Sequence, residues 1–221
     1  MDSVSDRGPR TLPSPDELRA QRRAARAADN RADILDAAER AFAQRGLDGS
    51  LRDIAKLAGF STAAIYNYFE NKQHLFAETL SRRGIELLDV IERSAASADG
   101  PMAKLHAIVD GSVEFFETYP DFRRMLRQVR EVDSTIPEII RQQASDRIEE
   151  FTRSVALMVG IIEDGQAAGE IRAGSAPALL HFYMTLVYEH VFLVAPDNPA
   201  PALTREQFHD MVDGALRAAT A

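Results

Sequence analysis

The chain contains no cysteine in its 221 residues. This absence excludes disulfide bonds, thiolate metal ligands and a cysteine nucleophile, and it fits a reducing compartment. The N-terminus, MDSVSDRGPRTLPSPDELRAQRR, lacks the apolar run of a signal peptide. No stretch approaches the ~20 apolar residues that span a bilayer. Glycine-rich phosphate loops, nucleophile elbows and paired-carboxylate motifs are missing as well. We therefore expect a cytoplasmic protein that is not an enzyme and has no cofactor.

Acidic and basic residues are unevenly distributed along the chain. The net charge is −8, yet residues 1–83 hold 14 Lys and Arg against 12 Asp and Glu, a balance of +2. Residues 84–221 hold 12 against 22, a balance of −10. Such asymmetry indicates that the two parts meet different partners, and it leaves nucleic acid open as a partner of the first part.

Apolar residues recur with the helical period along the chain, and no strand pattern appears. Capping boxes are predicted at Ser14 with Glu17 and at Thr204 with Gln207. Ser50, Ser61 and Ser175 are further predicted N-caps. These signals predict an all-α fold of about nine helices, in which a long helix at 72–96 joins an N-terminal helix-turn-helix unit to a helical C-terminal domain.

The first 28 residues are predicted to be a flexible, arginine-rich arm. Within it, Arg19, Arg22, Arg23 and Arg26 fall at i, i+3, i+4 and i+7, which places them on one helical face. One interpretation is a solvated arm. The other is a basic arm that contacts DNA phosphates or the minor groove.

Two short helices joined by a glycine turn are predicted between residues 50 and 69, after a helix that Asn30 caps and that Gly46 ends as a left-handed C-cap. The apolar stripe of that preceding helix comprises Ile34, Leu35, Ala38, Ala41 and Phe42. The first short helix is expected to turn inward Leu51, Ile54, Ala55 and Leu57. Gly59 supplies the turn, so the segment has the helix-turn-helix pattern.

The second short helix, at residues 61–69, has two different faces at ~100° per residue. The apolar side carries Ile65, Tyr68 and Phe69, and the exposed side carries Thr62, Ala63, Tyr66 and Asn67. Such a helix can enter the major groove with its N-terminus first, where Thr62 and Asn67 reach base edges and Ala63 touches a thymine methyl. Tyr68 and Lys72 suit phosphates. A helical hairpin with a polar surface is the alternative.

The segments ILDAAERAFAQRG and LRDIAKLAGFSTAAIYNYFENKQHLF resemble the TetR-type transcriptional regulators over about residues 30–80. That family's recognition helix ends in the pattern Y-x-Y/H-F-x-x-K-x-x-L. The resemblance implies a DNA-binding domain at 29–75 and an effector-binding and dimerisation domain at 76–221. The DNA-binding residues that it implies are Ser50, Arg52, Ser61, Thr62, Ala63, Tyr66, Asn67, Tyr68 and Lys72.

The resemblance also implies double-stranded operator DNA and a small-molecule effector as partners. Members of this family are typically homodimers whose last two helices form a four-helix bundle with the partner; here these helices are about 175–194 and 204–219. The residues expected at that interface are Leu179, Leu186, Phe208, Met211, Val212 and Leu216. Core packing within the subunit is the alternative for each of them.

An effector pocket is expected among the helices at 102–118, 137–168 and 175–194. The residues proposed to line it are His106, Asp110, Phe116, Arg127, Met158, Phe182, Tyr183 and Tyr188. Their aromatic rings suggest an apolar effector, although core packing explains them equally well. His106, Asp110 and Glu114 have a spacing that permits a metal site, but an acidic helix surface is the favoured interpretation and no metal is expected.

The sequence as a whole therefore predicts a ligand-responsive transcriptional regulator, a repressor by analogy, that binds a palindromic operator as a homodimer. A transcriptional activator of the same fold, a helical enzyme and a protein-interaction module are the alternatives. The effector, the operator and the controlled genes do not follow from the sequence.

Overall fold

A computed structural model describes residues 14–132, 148–194 and 201–218 of the chain. Over these ranges it contains no strand, only a lone bridge between Ile171 and Arg217, so the predicted all-α class is confirmed. The helices are α1 Pro15–Arg45, a 3-10 turn Gly46–Asp48, α2 Leu51–Ala58, α3 Thr62–Ile65, α4 Lys72–Ala96, α5 Pro101–Thr118, α6 Pro120–Val132, α7 Ile148–Ala167, α8 Ala176–Leu193 and α9 Arg205–Leu216. None of the helices described is both long and apolar enough to cross a membrane.

The first helix is longer than the sequence patterns suggested. The predicted capping box at its start is confirmed: the Glu17 amide donates to the Ser14 hydroxyl at 3.2 Å, and the Ser14 amide donates to the Glu17 carboxylate at 2.6 Å. Between residues 16 and 45 there is no glycine or proline and there are many alanines, so nothing interrupts the helix. Residues 15–28 of the predicted arm are therefore helical and continuous with the next predicted helix, and Asn30 is not an N-cap. Residues 1–13 lie outside the described ranges.

The N-terminal unit has its own core, formed by α1, α2, α3 and the first turns of α4. Ile34, Ile54 and Ile65 are buried in it, and the rings of Phe42 and Phe76 meet edge to face with centroids 5.0 Å apart. Each such side chain contributes about 1.5–3 kcal/mol through burial. Leu57, expected to face inward, is instead 59% exposed because it lies near the end of α2, beyond the reach of this core.

Two glycines end helices in this unit. Gly59 has φ 75° and ψ 22°, the left-handed conformation that closes α2 and turns the chain towards α3. Gly46 also has a positive φ, 53°, but its ψ of −144° is not that of the predicted left-handed cap. The chain leaves α1 through the 3-10 turn at residues 46–48 instead.

The fourth helix belongs to both parts of the molecule. The predicted domain boundary at residues 75 and 76 falls inside α4, whose N-terminal turns bury Leu75 and Phe76 in the first unit. Further along, α4 packs on α5 and on α7. Any movement of α4 therefore affects both parts.

The last described helix packs within its own subunit. Phe208, Val212 and Leu216 are almost fully buried against α5 and α8, so core packing, the alternative given for each of them, is what the structure shows. Leu179 and Leu186 are half-buried against the same core. An apolar helix face can pack either in the core of its own subunit or against a partner subunit, and here it packs in the core.

Candidate nucleic-acid interface and ligand groove

The third helix is shorter than predicted and continues as a tight turn. The Ala64 amide donates to the Ser61 hydroxyl at 3.1 Å, which starts the helix as expected. After Ile65 the hydrogen bonds tighten: the amide of Asn67 donates to the Ala64 carbonyl at 3.2 Å, and that of Tyr68 to the Ile65 carbonyl at 2.9 Å. The segment 66–68 therefore lies in a turn rather than on a helix, because α4 begins at residue 72 and the chain must reverse before it.

The two faces predicted for this segment are confirmed by burial. Ile65 and Phe69 are each 1% exposed, whereas Ala63, Tyr66 and Asn67 are exposed, and Tyr66 retains 54% of its surface. The buried pair anchors the segment to the core of the N-terminal unit. The exposed residues are consequently held on a rigid backbone and point away from it.

The second helix contributes a basic edge beside these residues. The Asp53 amide donates to the Ser50 hydroxyl at 3.1 Å, so Ser50 and likewise Ser61 use their hydroxyls as N-caps. Arg52 and Lys56 are exposed and line one concave surface with Ser61 and Thr62. Sequence reasoning missed Lys56, although its position four residues after Arg52 on the same helical face was a usable signal.

Tyr68 is held by a contact from the first helix. Its hydroxyl oxygen accepts a hydrogen bond from the Asn30 side-chain amide at 3.1 Å. Arg31 lies over the Phe69 ring at 5.0 Å and donates to Glu78 at 2.6 Å. Lys72, at the first position of α4, is partly exposed. These contacts fix the turn between α1 and α4, so Tyr68 and Lys72 stay next to the exposed face.

Several of the residues predicted for an effector pocket make contacts between helices. His106 bonds through Nε2 to Asp213 at 2.8 Å, and Asp110 contacts Nε2 of His209 at 3.0 Å. The two imidazoles stack with centroids 4.2 Å apart. This side of α5 therefore faces α9, and Phe182 lies on the outside of α8, 48% exposed.

Other predicted pocket residues serve the core of the C-terminal part. Tyr183 is fully buried and its hydroxyl donates to the Leu105 carbonyl at 2.7 Å; burial raises the pKa of this phenol far above its usual value. Phe116 stacks on Phe122, and Met158 is buried. Arg127 and Tyr188 are partly buried side chains that also make contacts of their own. The prediction of one pocket lined by these residues stays a prediction, because residues 137–147 of its expected walls lie outside the described residues.

Metal-ligand geometry does not occur in the ranges 14–132, 148–194 and 201–218. No three or more His, Cys, Asp and Glu side chains there come together so that they hold an ion. His106 and Asp110 are taken up by their partners on α9, as just described.

A groove of about 540 Å³ lies between α4 and α5, where the sequence did not predict a site. Its lining includes the charged side chains Glu86, Asp89, Arg93 and Glu114, with Phe115 and Tyr119 as aromatic walls. Each of these residues looks like ordinary helix surface on its own. The groove arises only when the faces of α4 and α5 are brought together.

One arginine connects this groove to the N-terminal unit. The Arg83 guanidinium donates to Glu86 at 2.7 Å and lies 3.9 Å from the centroid of the Tyr119 ring, and both of these residues line the groove. The same guanidinium donates to Glu39 of α1 at 2.8 Å. Outside the groove, Gln128 of α6 also contacts the N-terminal unit, because its side-chain amide donates to the Ala43 carbonyl at 3.0 Å.

Known proteins resemble this chain in sequence. The family profile of bacterial regulatory proteins, tetR family, matches residues 34–79. The HTH-type transcriptional regulator TtgR of Pseudomonas putida is 31% identical over 179 residues, which cover 78% of this chain and 84% of TtgR. The HTH-type transcriptional repressor BepR of Brucella suis is 30% identical over 156 residues, which cover 68% of this chain and 73% of BepR.

Solved structures share the fold. A TetR family transcription regulator from Marinobacter aquaeolei VT8 superposes with a TM-score of 0.68 at 22% identity, covering 88% of this chain and 99% of that one. At this identity the likeness concerns the fold alone. It agrees with the helix order described above.

Proposed function

This chain belongs to the tetR family of bacterial regulatory proteins, and we propose that it is a repressor that binds a palindromic operator as a homodimer and releases it when a small molecule binds. Its relatives are transcriptional regulators rather than enzymes, and so is this chain. Repression is proposed because BepR, which is 30% identical, is named a repressor. Since the proposed partner is chromosomal DNA, we place the protein in the cytoplasm.

The observation that carries DNA reading is the exposed face at the end of the N-terminal unit. Ala63, Tyr66 and Asn67 stand on a buried anchor, and Arg52 and Lys56 flank them. A methyl group, a hydroxyl and an amide suit base edges in the major groove, while the cations suit phosphates. Ser50 and Ser61 support this face as N-caps, and their hydroxyls, which accept from the Asp53 and Ala64 amides, can still donate to a phosphate.

A homodimer is proposed through α7 and α8. These neighbouring helices expose large apolar side chains: Phe151 at 61%, Leu157 at 38%, Phe182 at 48% and Leu193 at 39%. Leaving several such side chains in water is unfavourable, and a second copy offers the same surface in return. Of the two helices that the sequence placed at the dimer interface, the proposal keeps the one at 176–193 and replaces α9 with α7. Two N-terminal units in one dimer then require a twofold-symmetric operator.

Release is proposed to start at the groove between α4 and α5. Glu86, Asp89 and Glu114 line the groove together with Arg93, and Glu86 also pairs with Arg83. The remaining carboxylates, Asp89 and Glu114, favour a cationic group on an aromatic or apolar body. A ligand that takes over Glu86 or Tyr119 competes with the Arg83 guanidinium and disturbs its bond to α1. Ligand and operator then oppose each other by linkage, provided that the ligand binds the two states unequally.

The first experiment selects DNA sites from a pool of random duplexes with the purified protein over several rounds. Enrichment of a palindrome with two half-sites is the expected result, and its half-site spacing reports the distance between the two N-terminal units. Failure to enrich any sequence after the protein has been unfolded, stripped of bound molecules and refolded would overturn the proposed function.

The second experiment measures release from the selected site by matched cationic, neutral and anionic aromatic compounds. Cationic compounds are expected to release the wild type, and the variant Glu86→Gln should need higher concentrations because one carboxylate of the groove is lost. Release by anionic compounds alone, unchanged in Glu86→Gln, would contradict the groove assignment while leaving DNA binding intact.

A further inference from the structure

The N-terminal half of α1 projects from the molecule without packing on it. Every residue from 15 to 29 is exposed, although α1 continues unbroken to Arg45. At 1.5 Å per residue this half is roughly 22 Å long. Because this half extends a helix that already exists, it needs no nucleation step of its own. A free peptide of the same length would have to nucleate its own helix. The segment is thus a preformed rod that contributes no core contact.

The arginines of this rod share the side of α1 that reaches the DNA-facing turn. Arg19, Arg22, Arg23 and Arg26, here called the arginine face, precede Asn30 at helical spacing: Asn30 is four residues after Arg26 and seven after Arg23. Asn30 in turn donates to the Tyr68 hydroxyl at 3.1 Å, beside the exposed reading residues. The arginine face therefore continues along the helix from the point where α1 meets the proposed DNA interface.

The rod at residues 15–29 carries four arginines against Asp16, Glu17 and Asp29, a balance of +1, and its basic residues are gathered on one side. Asp16 and Glu17 occupy the first turn, where they interact favourably with the helix dipole. Asp16 lies 3.5 Å from Arg19, which weakens that arginine as a free cation. Arg22, Arg23 and Arg26 are exposed and follow one another on one side.

A lipid surface suits the rod poorly. An interfacial helix needs large apolar side chains opposite its basic face. Among residues 15–29 the only large apolar side chain is Leu18, and the side opposite the arginines carries alanines and Gln21. The chemistry on this helix therefore favours phosphates over an acyl layer.

We propose that the arginine face binds the phosphate backbone of the DNA that flanks each half-site read by the N-terminal unit. This inference rests on the proposed function and extends it to a second contact surface. From Arg19 to Arg26 the helix rises about 10 Å, which matches roughly three base pairs at 3.4 Å per step. The contact adds affinity and carries no base information, since phosphates are the same in every sequence.

The test compares the wild type with a variant carrying Arg19→Gln, Arg22→Gln, Arg23→Gln and Arg26→Gln, and with a matched variant carrying lysine at the same four positions. Dissociation constants for the selected operator duplex are measured between 50 and 200 mM salt. Glutamine and lysine are both good helix formers and no residue of the rod is buried, so both variants should fold; circular dichroism and urea unfolding check this.

The glutamine variant is expected to bind more weakly at low salt and to lose about 0.9 from the slope of log K against log salt for each phosphate contact removed. Its nuclease footprint should shorten on both outer sides. The lysine variant should keep most of the slope because it keeps the charge. Arg205→Gln, which removes an exposed arginine of α9, should change neither slope nor footprint.

Equal slopes and footprints for the wild type and the glutamine variant would overturn this inference while leaving the proposed function standing. If the wild type selects no DNA site at all, both fall together. A reduced slope with an unchanged order of preference among mismatched operators would support the phosphate contact specifically.

Discussion

The imidazole of His190 on α8 stacks against the phenyl ring of Phe208 on α9, with centroids 3.8 Å apart and planes 6° from parallel. His190 is 4% exposed. Burial lowers the pKa of His190 below 6.5, and the positive charge of His209 lowers it further. The stacked contact between α8 and α9 therefore favours the neutral imidazole.

Stability should fall as the pH drops below about 6.5. As the pH falls, the unfolded chain binds a proton at His190 before the folded protein does. The stability that this site contributes is therefore present above the pKa of His190 in the unfolded chain, and it is lost as the pH falls towards the pKa of His190 in the folded protein. Urea unfolding of the wild type and of His190→Gln at pH 8, 6.5 and 5.5 measures the effect. The variant should show a shallower pH dependence, whereas His181→Gln, at an exposed position of α8, should behave as the wild type. Identical pH profiles for the wild type and His190→Gln would refute the assignment.

Replacing Glu39 by glutamine should destabilise the protein. The Glu39 carboxylate is 5% exposed and accepts hydrogen bonds from Arg83 at 2.8 Å and from Arg82 at 3.0 Å. Loss of its charge weakens two charge-assisted hydrogen bonds, which costs about 1.5–3 kcal/mol, although Arg82 keeps Asp36 and Arg83 keeps Glu86 as a partner. Urea unfolding at fixed protein concentration measures this change in the free energy of unfolding. The control is Arg153→Gln, which breaks a more exposed pair with Glu92 and should cost much less stability than Glu39→Gln. Equal small losses in both variants would show that the Glu39 cluster is not coupled to folding.

Asn67→Ala should impair sequence-specific DNA binding without unfolding the protein. The side chain is exposed in the turn after α3, so its loss should change stability by less than about 0.5 kcal/mol. A lost base contact costs about 1–3 kcal/mol of discrimination, roughly 5- to 150-fold in affinity for the selected site. Titration of each variant with the selected duplex and with a scrambled duplex measures the specific and the non-specific affinity. The matched variant Asp99→Ala, exposed between α4 and α5, should bind as the wild type. The same loss on both duplexes would mean that Asn67 contacts phosphate rather than a base.

Phe182→Glu should convert the protein into a folded monomer. The ring is 48% exposed on α8 and belongs to the apolar surface proposed to meet a second copy, where a carboxylate would be buried without a partner. Sedimentation measures the mass, and circular dichroism checks the fold. Met211→Glu is the discriminating control: Met211 is 40% exposed on α9, the helix first expected at the interface, and its substitution should leave the dimer intact. A monomer from Met211→Glu and a dimer from Phe182→Glu would return the interface to α9.

Most of the predicted helix caps proved accurate, although Asn30 and Gly46 did not behave as predicted. Ser14, Ser50, Ser61, Ser175 and Thr204 all accept the amide hydrogen bonds expected of N-caps. A cap depends only on a side chain and the three residues after it, so no distant contact competes. The alternation of buried and exposed residues at 62–69 could be predicted for the same reason. The turn after α3 could not be predicted, because it depends on where α4 packs.

The sequence by itself thus determined the all-α class, the starts of the helices and the exposed face proposed to read DNA, since helical period and capping are properties of short segments. Tertiary structure alone decided that Leu57 lies outside, that Phe208 and Val212 lie inside, and that Arg83 joins the groove to Glu39. The physical reason is that an apolar stripe specifies burial but not the surface that provides it. Which surface covers a stripe, and which charges then meet, depends on packing between helices far apart in the chain.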